Sequence, residues 1–168
     1  MQMKGLKRVS HTINQAVSYT GIGMFVVLVF ACVMQVFFRF VLNNSLSWTE
    51  ELARYLFVWM HLIGASLLIE DGGHATVTVI LDLLHGKARK AVNILIEAII
   101  LIDGTLMLYS GVIVSYRSRT NVSTAMSIPM WVINLSVAVS GALLMFQAIV
   151  QIAVYLSDKA EKKEGSAE

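Results

Sequence analysis

Residues 19–38 read YTGIGMFVVLVFACVMQVFF, twenty residues without a single charge. A helix rises about 1.5 Å per residue, so a run of this length covers the roughly 30 Å of hydrocarbon in a bilayer. Three further runs repeat the pattern. Leu52 to Ile69 is interrupted only by Arg54 in its first turn, Ala91 to Tyr116 carries Glu97 and Asp103, and Met130 to Leu156 has no charge. Composition agrees: 57% of the 168 residues are hydrophobic and 14% are charged, where a soluble domain carries roughly a quarter charged residues. The expected fold is an all-α membrane protein, one membrane domain over 1–168. Its four transmembrane helices are placed at about 19–42, 48–70, 91–116 and 129–156. That leaves no extramembrane domain large enough to bind a large ligand alone.

The distribution of charge says more than its sum of +2. Lys4, Lys7 and Arg8 precede the first run, Lys87, Arg89 and Lys90 separate the second from the third, and Lys159, Lys162 and Lys163 follow the fourth. The other two connections are poor in Lys and Arg: none lies between Arg39 and Arg54, and the last has only Arg117 and Arg119. The positive-inside rule therefore places both termini in the cytoplasm. Nucleic-acid binding needs a basic stripe on a folded face, and these small clusters read instead as topology signals. The basic start resembles a signal peptide, but its apolar stretch is too long for one and no small-x-small cleavage site follows. Cys32, preceded by Phe30-Ala31, makes a poor lipidation site, and one cysteine excludes an internal disulfide or a dithiol redox centre.

Local signals fill in the connections. Leu6, Val9, Ile13 and Val17 recur about once per helical turn, which predicts a short amphipathic helix on the inner surface within residues 1–18. Asn43-Asn44-Ser45 predicts the first turn. Ser47-Trp48-Thr49-Glu50 reads as a capping box, with Trp48 in the aromatic belt. Gly72-Gly73 breaks the second helix. Val77, Ile80, Leu81 and Leu84 then share one face of an interfacial helix at about 75–85, which Gly86 ends. Pro129 opens the fourth span, where its missing N–H costs nothing. Residues 157–168 read as a disordered tail. The two outer hairpins are alike in carrying Arg at the first helix end (Arg39; Arg117 and Arg119) and Trp at the second (Trp48; Trp131), through old duplication or chance.

Charged groups at membrane depth cost about 2.5–3.5 kcal/mol on insertion scales, so each needs a partner or a reason. Asp103 lies roughly 18 Å from Ala91, and His61 roughly 13 Å from Leu52. Their depths nearly coincide. Two readings follow: the two side chains meet as an intramembrane polar pair, or both face one partner protein. A structural hydrogen bond, a proton relay and a contact to another subunit all remain open for them. At the outer end, Arg39, Trp48, Glu50, Glu51 and Arg54 form a charged cluster. It reads either as a snorkelling Arg beside a helix cap or as an interface for a partner or lipid head groups. With Glu50 assigned to the cap, Glu51 is the better docking candidate. Gln35, Glu97, Gln147 and Gln151 read as interhelical hydrogen-bonding groups. A bis-His haem site needs two intramembrane histidines and only His61 qualifies. No metal cluster, phosphate loop or nucleophile–base pair stands out, so no enzyme, cofactor or metal site is expected.

The block from Arg39 to Asp82 resembles a known family. Its centre is Ser47-Trp48-Thr49-Glu50-Glu51-Leu52-Ala53-Arg54-Tyr55-Leu56-Phe57-Val58-Trp59, followed by Gly64-Ala65, Gly73-His74 and a Thr/Val segment. Pro129-Met130-Trp131 also fits. The block is similar to the small, DctQ-like transmembrane subunit of TRAP (tripartite ATP-independent periplasmic) transporters, and the likeness extends over most of the chain. The resemblance implies a bacterial inner-membrane complex for secondary transport. In it a large membrane subunit holds the substrate and sodium sites, and a periplasmic substrate-binding protein delivers an organic acid such as a dicarboxylate or sialic acid. The small subunit would be a non-catalytic scaffold, with the outer cluster contributing to docking of the delivery protein. The alternative is a stand-alone homo-oligomeric transporter or channel, for which Asp103 and His61 would be essential.

Overall fold

A computed structural model describes residues 2–70 and 87–164. The expected Gly72-Gly73 break and the interfacial helix at 75–85 lie outside them. The described residues form four helices: α1 over Gln2–Phe40, α2 over Ser47–Glu70, α3 over Lys87–Arg117 and α4 over Met130–Glu164. No strand runs through the described residues, only an isolated antiparallel bridge between Val122 and Pro129. The helices pack as two antiparallel hairpins, α1 with α2 and α3 with α4. They join where α2 and the lower part of α1 lie against α4. Helix α4 is therefore the centre of the molecule, and α2 does not touch α3.

Among the described residues, three helices are long and apolar enough to cross a membrane. They lie within Arg8–Phe40, Ala91–Arg117 and Met130–Val154, with mean hydropathies of 2.5, 2.0 and 2.1. Helix α2 has 24 residues, about 36 Å and long enough by rise alone. Glu50, Glu51, Arg54 and His61 lower its hydropathy.

The amphipathic start is not a separate surface element. Helix α1 runs unbroken for 39 residues, about 58 Å. The reason is local: no Gly or Pro interrupts Leu6 to Thr20. A polar clamp also draws this part onto α4. Ser10 Oγ donates to Gln147 Oε1 at 2.8 Å, and Gln147 Nε2 donates to Asn14 Oδ1. Gln147 is thus an interhelical bridge and is fully buried. At the other terminus, α4 continues through Glu164, so the segment from 157 to 164 is helical rather than irregular. Ala160, Glu161, Lys162 and Lys163 are good helix formers and carry the helix on.

The most deeply buried positions are small or polar: Thr49, Ser66, Ser136, Ser140, Ala148 and Gln147 all have no exposed surface, and Ile63, Ile133, Leu144 and Val150 are buried beside them. Large apolar side chains face outward, as at Phe25, Phe30, Phe37, Leu95, Ile102 and Leu106. This is inside-out relative to a soluble protein. It fits helices that meet through small residues in a medium as apolar as their own surfaces. The α3–α4 seam shows why. A Cβ on Gly111 would sit 2.5 Å from the Ala138 nitrogen, and one on Gly141 2.5 Å from the Leu108 nitrogen. Only glycine lets these backbones touch.

Candidate functional site

The α1–α2 turn and the α3–α4 loop lie at one end of the bundle, and Glu51 joins them. Helix α1 ends with the Val41 N–H on the Phe37 carbonyl and the Asn44 N–H on the Phe38 carbonyl. Asn43 takes a left-handed conformation, φ 50°, which Asn tolerates better than most residues. The predicted Asn-Asn-Ser turn is present. The capping box is not. Helix α2 begins at Ser47, one residue earlier than expected, and the Thr49 hydroxyl donates to the Leu46 carbonyl at 2.7 Å. Glu50 pairs with Arg54 at 3.2 Å along the exposed face, one turn away from the position a cap requires.

Glu51 is engaged within the chain. Its Oε1 accepts from the Tyr55 hydroxyl at 2.7 Å. Its Oε2 accepts from the Ala125 and Met126 N–H groups at 3.0 and 2.8 Å. A carboxylate taking three donors is a strong, charge-assisted anchor. Here it fastens the start of α2 to the tip of the α3–α4 loop. The loop is a miniature hairpin. The Ser123 N–H meets the Ile128 carbonyl at 2.9 Å, the Met130 N–H meets the Asn121 carbonyl at 2.9 Å, and the Ser123 hydroxyl accepts the Ile128 N–H at 3.1 Å. Ser127 closes the tip with φ 53°. Asn134 Nδ2 donates to Ser118 Oγ at 2.9 Å, pinning the loop base to α4.

Around this latch the end of the bundle is cationic and aromatic. Arg39 lies over the Phe40 ring at 5.8 Å, and Arg119 over Tyr116 at 4.3 Å. Arg39 and Arg117 occupy the last turns of α1 and α3, where the helix dipole favours a cation. Trp48 and Trp131 are both 40% exposed. Of the expected outer cluster, Glu50 pairs with Arg54, Glu51 is taken up by Tyr55 and the loop, and Arg39 lies over Phe40.

The intramembrane pair does not form within the chain. His61 is exposed on α2; its Nδ1 lies 3.1 Å from the Phe57 carbonyl, and its ring stacks on Phe57 with centroids 3.9 Å apart. Asp103 is exposed on α3, a helix that α2 does not contact. Glu97, expected to be an interhelical hydrogen-bonding group, is only 6% exposed, and its Oε2 has no hydrogen-bond partner among the described residues, like Ser115 Oγ. The available signal was position: Glu97 precedes Gly104 and Gly111 by two and four helical turns, on the face that meets α4. No group of three or more metal-ligating side chains occurs among the described residues.

An apolar, inside-out helical bundle with helices long enough to span a bilayer defines a membrane protein. Comparison with known proteins gives the class its family. Residues 28–157 match the family described as tripartite ATP-independent periplasmic transporters, DctQ component, and the chain belongs to that family. It is 26% identical over 152 residues to the sialic acid TRAP transporter small permease protein SiaQ of Vibrio cholerae, covering 90% of this chain and 86% of that protein. It is also 26% identical over 111 residues to the C4-dicarboxylate TRAP transporter small permease protein DctQ of Rhodobacter capsulatus, covering 61% and 46%. A third relative, the sialic acid TRAP transporter permease protein SiaT of Haemophilus influenzae, is 26% identical over 100 residues. That match takes in 60% of this chain but 16% of SiaT.

Proposed function

We propose that this chain is the small scaffold subunit of a sodium-coupled TRAP transporter that imports an organic acid. It would work in the bacterial inner membrane beside a large membrane subunit and a periplasmic binding protein. The observation that carries the reading is the family match over residues 28–157. The bundle supports it: its most deeply buried positions are small or polar, and most of its large apolar side chains are turned outward. SiaT supports the large partner, because a segment like this chain is a small part of that much longer permease. The names of SiaQ and DctQ favour a carboxylate substrate, sialic acid or a C4-dicarboxylate. On this reading α2 is a fourth span and both termini are cytoplasmic, as the Lys and Arg distribution indicates. The latched loop end then faces the periplasm and presents Arg39, Arg54, Arg117, Arg119 and two Trp residues to lipid head groups and to the delivery protein.

Reconstitution tests this. Proteoliposomes holding the large subunit together with this chain, supplied with the binding protein and a radiolabelled carboxylate, should show uptake that needs an inward sodium gradient. The large subunit alone should show little. Equal uptake without this chain, or uptake indifferent to sodium, contradicts the proposal.

A further inference from the structure

His61 and Asp103 do not meet, yet the packing places them at one level and on one side. Ser140 Oγ donates to the Leu62 carbonyl, next to His61. Gly141 and Met145 pack on Gly104, next to Asp103. The two levels differ by at most five residues of α4, roughly 8 Å along its axis. On α4 the positions that meet α3 (Ala138, Gly141, Met145) lie about 100–160° around the axis from the position that meets α2 (Ser140), at 3.6 residues per turn. Helices α2 and α3 therefore flank α4 at an angle, with no contact between them. Leu62 faces α4 on α2, and Gly104 does so on α3. In each case the preceding residue is about 100° away around the helix. Because α2 and α3 run in opposite directions, the right-handed helices turn both residues to the same side of the bundle. The surface around them is apolar and open: Phe57 is 51% exposed, Ile99 58% and Val114 47%.

We infer that this α2–α3 face seats a transmembrane helix of the large permease subunit, one that brings hydrogen-bond donors to Asp103 and His61 at mid-depth. Complementarity identifies the occupant. A carboxylate exposed among Ile and Val side chains is poorly suited to lipid. The Phe57 carbonyl can only accept, so His61 Nδ1 is the donor there, and in the neutral ring Nε2 is left as an acceptor. Two acceptors cannot satisfy each other. They call for a third party carrying donors such as Arg, Lys, Asn, Gln or Ser. The inference rests on the reading of this chain as the partner of a larger permease.

The test keeps that reading separate. The full chain, with Cys32→Ser, is co-expressed with its large subunit, and a photo-crosslinking amino acid replaces Ala65, Ile99 or Val114 in turn. Ile149, 53% exposed and half a turn around α4 from Ser140, is the control. Crosslinks from the three positions to the large polypeptide, with little from Ile149, are expected. Crosslinks from Ile149 alone overturn the assignment of the face while leaving the scaffold reading intact. Crosslinks to a second copy of this chain replace the proposed occupant with a homodimer and overturn it. Recovery of this chain alone overturns the scaffold reading as well. Asp103→Leu should reduce the co-purified large subunit roughly three- to tenfold, the range that an interhelical hydrogen bond supports, whereas Asp103→Asn should retain more of it. Unchanged recovery with Asp103→Leu removes the acceptor from the account.

Discussion

Glu51 holds three donors with one side chain, and two of them are backbone N–H groups 74 and 75 residues away. Its replacement should act locally. In Glu51→Ala, hydrogen exchange at the Ala125 and Met126 amides should accelerate strongly while the Gly104–Gly111 stretch of α3 stays protected; unchanged exchange at the loop tip would show that the latch is not what orders it. Glu51→Gln keeps one acceptor oxygen and should lie between the two. Glu97 makes the converse case. A buried carboxylate oxygen without a partner is a cost that an isosteric neutral group removes. Glu97→Gln in detergent should therefore melt at the same temperature as the parent or higher. A clear fall in melting temperature would mean that Glu97 has a partner beyond the described residues, in the chain or outside it. Neither role was legible in the sequence. The Glu51 contact joins points more than seventy residues apart through a turn whose shape depends on Ser123 and Ser127. Glu97 reads as one more polar residue in a span until the glycine face of α3 is known to be buried.

The α3–α4 hairpin is the tightest element pair, and glycine makes it so. Gly111→Leu would drive a branched side chain into the Ala138 backbone. Overpacking of this kind costs about 1–3 kcal/mol, and the hairpin should open or shift. Gly21 has nothing within 4 Å of its Cβ position, so Gly21→Leu should leave stability nearly unchanged. Thermal unfolding of the two variants checks the contrast; equal losses would place the seam elsewhere. This seam had a sequence signal, because Gly104, Gly111 and Ser118 recur every seven residues on one helix face. The apolar runs were legible because span length is set by bilayer thickness, and the loops because Asn, Ser and Pro restrict the backbone. The continuity of α1 was not. An apolar stripe at Leu6, Val9, Ile13 and Val17 looks the same whether the helix lies flat or continues into the span. What decides is the Ser10–Gln147–Asn14 clamp, which is tertiary.

Over the whole molecule the organising fact is the inversion of polarity. Serines, glycines, alanines and one glutamine fill much of the interior beside a few aliphatic side chains, and most aromatic and branched side chains cover the outside. Such a surface is stable only against lipid or against other membrane helices, and the two kinds of cover are distinguished by polar residues such as His61 and Asp103. Charge distribution sets the orientation. A fluorescent protein fused after Glu168 should fold and fluoresce, and alkaline phosphatase inserted after Thr124 should be active; the reverse pattern would invert the topology. The central claim is that this chain is one part of a larger permease. It is tested most directly by purifying the tagged chain from its native membranes in mild detergent and identifying what accompanies it. A much larger polytopic protein in equal amount is expected. Recovery of this chain alone, as a defined homo-oligomer, would contradict it.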